Sequence, residues 1–434
     1  MVDRGCASWD NLPDWAQQEI EAVVADWRAA AEEGLADAQN VLAEINKEGR
    51  FVAQSDVEAV QWYRKAADQG DVDAWCNLGS MFEHGRGVAQ SDVEAMQLYK
   101  KAANKGLPEG QHNLGMMLEE GRGVTQSNVE AARWYKKAAD QGFARAQCKF
   151  GRMLEGGRGV TQSYKEAARW YKKAADQGFA EAQSKVGAMF KRGRGVVQSY
   201  QEAMRWFRKA ADQGNAEAQC NLGIMYKDGN GVAQSDVKAV EWYRKAADLG
   251  VAEAQHDLGL IFAVGRSVAQ SDVEAAQWFE KAADQGLAGA QFKLGIMFNG
   301  GRGVAQSDVK AAQWFRMAAD QGLDVAQYSL GIRYYEGRGV AQSDMEAAQW
   351  FRKAADQGLA GAQYNLGLMY NEGRGVAQID VEAVQWFRKA ADQGVAEAQY
   401  NLGIMYKDGN GVAQSDAKAA EWYRKAADQG VVEE

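Results

Sequence analysis

The chain has 434 residues, 46% hydrophobic and 25% charged, which is the balance of a folded protein and excludes a disordered polar chain. Its formal charge of −9, with acidic and basic residues alternating along the sequence, argues against a surface for nucleic acid or anionic membrane. No stretch approaches the roughly 18 apolar residues of a membrane span, and the opening MVDRGCASWDNLPDW lacks the apolar core of a signal peptide.

Residues 1–10 carry no periodic pattern. From Pro13 to Glu33 apolar residues recur at three- and four-residue intervals (Trp15, Ile20, Val23, Val24, Trp27), which predicts a helix. Pro13 suits its first turn, where the missing N–H is not needed. The end of this segment, WRAAAEEG, imitates the end of every later repeat, so 1–34 reads as an N-terminal segment with a capping helix. Eleven copies of a 36-residue unit then run without insertion or deletion from Leu35 to Gly430. They divide as 35–70, 71–106, 107–142, 143–178, 179–214, 215–250, 251–286, 287–322, 323–358, 359–394 and 395–430, and a tail, 431–434, follows. This period overrides the two or three domains such a length would suggest, because a solenoid grows by stacking layers.

Each unit predicts two helices, and the last copy illustrates them. Ala396, Ala398, Leu402, Gly403, Met405 and Tyr406 share one broad helical face, with the small residues allowing close helix approach. Gly409 closes that helix in the left-handed conformation glycine adopts freely. The second helix opens at Ser415-Asp416. Most copies read Ser-x-x-Glu here, as in Ser55–Glu58 and Ser271–Glu274, the signature of a capping box. Ile379 replaces the serine in one copy, where Asp380 is expected to cap instead. Ala419, Trp422, Tyr423, Ala426 and Ala427 form the buried stripe of the second helix, and Gly430 stops it.

The pattern A-x-A-Q-x-x-L-G-x-M-Y, then G-x-G-V, then A-x-x-W-Y-x-K-A-A-x-Q-G resembles the Sel1-like repeat, a cousin of the tetratricopeptide repeat. The resemblance covers 35–430. It implies an all-α, right-handed superhelical α-solenoid of eleven helix–turn–helix repeats with a concave inner wall. It also implies a non-enzymatic scaffold or adaptor, since members of this family generally hold other proteins together. Departures are few: Leu98 stands where other copies have Trp, Phe51 and Ser267 replace a loop glycine, and Arg333 replaces the usual Met.

Readings in terms of chemistry are weak. The G-x-G-V loops lie between helices and lack the third glycine of a dinucleotide fingerprint, so they read as turns. Cys76, Cys148 and Cys220 occupy one register position in alternate repeats, too far apart for a disulfide, and unpaired thiols fit a reducing compartment. His112 and His256 are four repeats apart, and no metal-ligand spacing occurs. The adjacent Glu119 and Glu120 read as a solvated face. No cofactor, metal or catalytic set is expected.

The sixth, seventh and tenth residues of each unit are more informative, because in related repeats the first helix lines the concave wall. The sixth runs from Asn40, Cys76, His112, Cys148 and Ser184 to Phe292, Tyr328, Tyr364 and Tyr400. The seventh includes Asn365 and Asn401, and the tenth ends in Ile296, Ile332, Leu368 and Ile404. A wall polar at first and aromatic later suits a groove for protein or peptide partners. The same tyrosines would equally serve as packing between layers. At the other end, Trp422 and Tyr423 are expected to leave an apolar face partly open for self-association or docking onto a larger assembly. The reading is a soluble intracellular scaffold or adaptor binding partner proteins along its wall, with a structural subunit of a larger complex as the alternative.

Overall fold

The 36-residue period becomes two short helices per repeat. The computed structural model describes residues 14–265 and 268–430, and among these are 23 helices and no strand. A first helix, Asp14–Glu32, packs on Ala36–Glu48. After it each repeat contributes an A helix and a B helix, as in Asp324–Glu336 and Asp344–Asp356 of the ninth repeat. The chain divides into two compact units, Met1–Ala218 and Gln219–Glu434, and both are built by the same rules.

The B helices start at serine. Ser91 accepts from the Glu94 backbone N–H at 3.3 Å, and Ser271 from that of Glu274 at 3.2 Å. The other half of the expected capping box is replaced. The serine's own N–H donates to a carbonyl near the end of the A helix, as Ser91 does to Phe82 at 3.0 Å. With that donor already satisfied, the third helical residue need not be Glu: serine still caps where Lys238, Lys310 or Lys418 stands there. The expectation for Asp380 fails. Ile379 keeps the extended cap geometry, but no side chain caps this helix, because Asp380 is already its first helical residue.

The A helices end at a left-handed glycine, such as Gly301 at φ 64°. Two residues on, a second glycine meets the preceding repeat. A Cβ on Gly303 would lie 2.0 Å from the Asp272 carbonyl oxygen, so the G-x-G loop is a contact between repeats. Phe51 takes this place in the first repeat with φ 64°, the one positive-φ residue other than glycine among those described. Ser267, the other replacement, lies outside the described residues. The arginine between the two glycines adds a clamp to the same neighbour: Arg302 to Asp272 at 2.7 Å, Arg374 to Asp344 at 3.1 Å.

Inside the layers, from the second repeat on, one ring from the B helix fills the space beneath an A-helix glycine. Phe351 is 1% exposed, and a Cβ on Gly331 would come within 2.6 Å of it. Fully burying such a ring is worth about 2–3 kcal/mol. A polar ladder joins the layers as well. Gln363 donates to the Ala355 carbonyl of the preceding repeat at 3.2 Å and accepts from Gln393 of its own at 2.8 Å. The same pair of bonds recurs at Gln147 and Gln183 in the first unit. In the second repeat Trp75 replaces this glutamine and keeps the bond to the Ala67 carbonyl, at 2.9 Å, through its indole N–H.

Candidate protein-binding wall

The sixth residue of each unit, on the A helix, points between layers, and its size decides what reaches the surface. In the first unit Cys76, His112, Cys148 and Ser184 are all buried. Burial pushes the Cys76 and Cys148 thiols up to about 12, which leaves them protonated and poor nucleophiles. Burial, aided by Lys149 and Arg145, holds His112 down to about 4, and its Nδ1 has no hydrogen-bond partner. Glu119 corrects the reading of a solvated acidic pair. It is buried, accepts from the Tyr135 hydroxyl at 2.8 Å and pairs with Arg158 at 3.1 Å, while Glu120 stays exposed. Against the pull of burial, those partners hold its carboxyl below the usual range. No group of three or more His, Cys, Asp or Glu side chains is placed to hold a metal ion among the described residues.

In the last four repeats, all in the second unit, the same register carries rings too large to disappear. Phe292, Tyr328, Tyr364 and Tyr400 are half-buried. One side of each ring packs on the B-helix ring of its own repeat, with centroids 5.6 Å apart for Phe292–Phe315 and 5.8 Å for Tyr328–Phe351. Tyr364–Phe387 and Tyr400–Tyr423 follow at 6.0 and 5.4 Å. The seventh-position amides tie the rings to the next layer. Asn365 donates to the Tyr328 hydroxyl and Asn401 to that of Tyr364, both at 3.5 Å. These tyrosines therefore pack between layers and expose their remaining surface.

The tenth-position side chains stand further out. Ile296 is 37% exposed, and Ile332, Leu368 and Ile404 are half-buried. Two clefts of about 260 Å³ each flank the A helix of the ninth repeat. One lies toward the eighth repeat and is lined by Phe292, Ile296, Phe315, Ile332 and Arg333, among others. The second lies toward the tenth repeat, between Ile332, Tyr335, Phe351, Leu368 and Met369, with Glu336, Asn365 and Glu372 supplying its polar lining.

Sequence reasoning missed Tyr335, Glu336 and Glu372. Their signal was spacing, since they follow the tenth position by three or four residues and so continue the same helical face. It also left Arg333 without a role. This side chain is 4% exposed, donates to Asp308 at 2.7 Å and to the Asn299 amide oxygen, and lies 5.7 Å from the Phe315 ring centre. Its charge is thereby matched at the floor of the first cleft. Away from these clefts, Trp422 and Tyr423 are half-buried, whereas Phe351 and Phe387, which match Tyr423 in register, are buried.

A family model described as the Sel1 repeat matches the chain eleven times, at 36–71, 72–107, 108–143, 144–179, 180–215, 216–251, 252–287, 288–323, 324–359, 360–395 and 396–431. Among solved structures, a protective antigen present in uropathogenic Escherichia coli strains and displaying an SLR fold is 36% identical. That comparison has a TM-score of 0.74 and covers 93% of this chain and 86% of the antigen. A Sel1 repeat protein from Oxalobacter formigenes is 35% identical with a TM-score of 0.52, covering 71% of this chain and 91% of that one. No curated protein matches the chain. Among the described residues, no helix is long and apolar enough to cross a membrane. Sel1 repeats generally serve protein–protein interaction, and this all-α solenoid fold is typical of non-enzymatic scaffolds. Eleven matched repeats and a relative alike along nearly the whole chain place the protein in the Sel1 repeat family.

Proposed function

We propose that this chain is a non-enzymatic scaffold that holds partner proteins on the A-helix wall of its second unit. One observation carries the reading. In the first unit the sixth-position side chains from Cys76 to Ser184 are buried, whereas from Phe292 to Tyr400 they are half-exposed rings beside Ile296, Ile332 and Leu368. Rigid aromatic and aliphatic side chains over pre-formed clefts are the anchors that protein interfaces use. Amides on Asn365 and Asn401 offer orientation next to them. Trp422 and Tyr423 offer a second docking surface for a larger assembly or another copy of the chain.

The geometry also selects the variant for the test. Replacing Tyr328, Tyr364 and Tyr400 would remove packing along with any contact, because their rings rest on Phe351, Phe387 and Tyr423. Ile296, Ile332 and Leu368 are the better targets. Native size fractionation of source-cell extract, with mass spectrometry of co-migrating proteins, should recover a partner with the wild type. The Ile296→Lys/Ile332→Lys/Leu368→Lys variant should lose it at unchanged helix content. A partner retained by this variant would remove the wall from the account, and a salt-resistant complex of fixed composition would favour a permanent structural subunit.

A further inference from the structure

The second cleft differs from the first in its charge. Arg333 and Arg338 line the first together with Glu336, on the side of the ninth A helix that faces the eighth repeat. The cleft between the ninth and tenth A helices has two carboxylates, Glu336 and Glu372, and no basic side chain in its lining. The nearest cations touch the rim of this cleft, but each lies closer to an aspartate of the preceding repeat than to the cleft's glutamate. Arg338 lies 3.2 Å from Asp308 and 3.7 Å from Glu336, and Arg374 lies 3.1 Å from Asp344 and 3.9 Å from Glu372. Arg374 is held further by the Tyr335 ring, 4.2 Å from its centre. Both carboxylates are exposed and end their helices, where the negative end of the helix dipole adds to their charge. The cleft is thus an apolar slot with an acid at the last turn of each flanking helix.

Size narrows the occupant. A volume of about 260 Å³ falls below the roughly 300–1,000 Å³ typical of small-molecule pockets. It suits one large apolar side chain. Glu336 and Glu372 hold the same place in neighbouring repeats, and packed helices lie about 10 Å apart. An extended peptide covers that distance in about three residues.

We propose, on the basis of the scaffold reading above, that this cleft recognises a partner segment with a large apolar residue between two basic residues three positions apart. The apolar side chain enters between Ile332, Tyr335, Leu368 and Met369, and the two cations meet Glu336 and Glu372. An acidic partner is repelled at the same two points.

Fluorescein-labelled octapeptides with the central sequence Lys-Leu-Ala-Lys, Lys-Ala-Ala-Lys or Glu-Leu-Ala-Glu test this by anisotropy with the full chain. The first is expected to bind best, and each change to weaken it about tenfold, through lost apolar burial or two lost charge pairs. The variant Glu336→Gln/Glu372→Gln should erase the preference for lysine over glutamate flanks and keep the preference for leucine over alanine. Both positions are exposed, so folding is not at issue. Equal affinity of the lysine- and glutamate-flanked peptides would overturn the inference and leave the scaffold reading standing. If no peptide binds, cross-linking from positions 332 and 368 separates the two ideas. Capture of a partner there would leave only this inference overturned, and its absence would remove both.

Discussion

Gly303→Ala puts the contact between repeats to a quantitative test. Gly303 has φ +67°, and an added Cβ would sit 2.0 Å from the Asp272 carbonyl oxygen and 2.7 Å from the Val273 nitrogen. Two costs follow. The left-handed backbone costs an alanine about 1–2 kcal/mol, and forcing the two backbones apart adds about 1–3 kcal/mol, as overpacking does in cores. Gly286 isolates the first cost, because its φ is +90° and nothing lies within 4 Å of its Cβ position. Gly286→Ala should therefore cost about 1–2 kcal/mol and Gly303→Ala about 2–5 kcal/mol, with the Arg302–Asp272 clamp loosened as well. Urea melts followed by circular dichroism would rank the two. Amide exchange should show faster opening of 301–307 and of the start of the Asp272–Asp284 helix in Gly303→Ala alone. Repeat arrays lose cooperativity when one interface weakens, so that variant should also broaden its transition. Equal losses from the two substitutions would refute the claim that the second loop glycine is there for close approach.

Ile379→Thr should stabilise the tenth repeat by about 0.5–1 kcal/mol, because it supplies the missing cap oxygen and keeps a branched side chain; a lower melting temperature would contradict this. His112 should make stability depend on pH. Its folded-state pKa lies below its unfolded one, so the stabilisation is present above about 6.5 and is lost as pH falls toward about 4. The wild type should lose up to about 3 kcal/mol more than His112→Cys across that window, since cysteine stands in the same register at Cys76 and Cys148; parallel pH profiles would exclude the effect. Cys76 and Cys148 should resist thiol reagents in the folded chain and react in urea, with the modified peptides mapped by mass spectrometry. Fast labelling of either in the native state would contradict their burial.

The helices were legible because period and breaker coincide along the repeats: apolar spacing at three and four, glycine after the A helix and, in all but the tenth repeat, serine before the B helix. What escaped reading was pairing at a distance. The glutamines at Gln363 and Gln393 look like ordinary polar residues until the stack places them 2.8 Å apart. Trp75 shows what that position requires, since its indole N–H makes the same bond to the preceding repeat. The capping box was half right for a similar reason, because the serine N–H had a tertiary partner no local rule anticipates. Glu119 was misread because sequence proximity to Glu120 hid the Tyr135 hydroxyl sixteen residues away. On the wall, spacing found Ile332 and Leu368 but stopped one helical turn short of Tyr335, Glu336 and Glu372.

Site-specific photo-cross-linking in the source cell tests the central claim most directly. A benzoylphenylalanine at 296, 332 or 368 reports on the A-helix wall, and one at 309 or 381 reports on exposed B-helix positions of the same unit. The account predicts that the wall positions capture a common partner protein and the B-helix positions do not. Capture from 309 and 381 alone would contradict it and place the binding surface on the B helices.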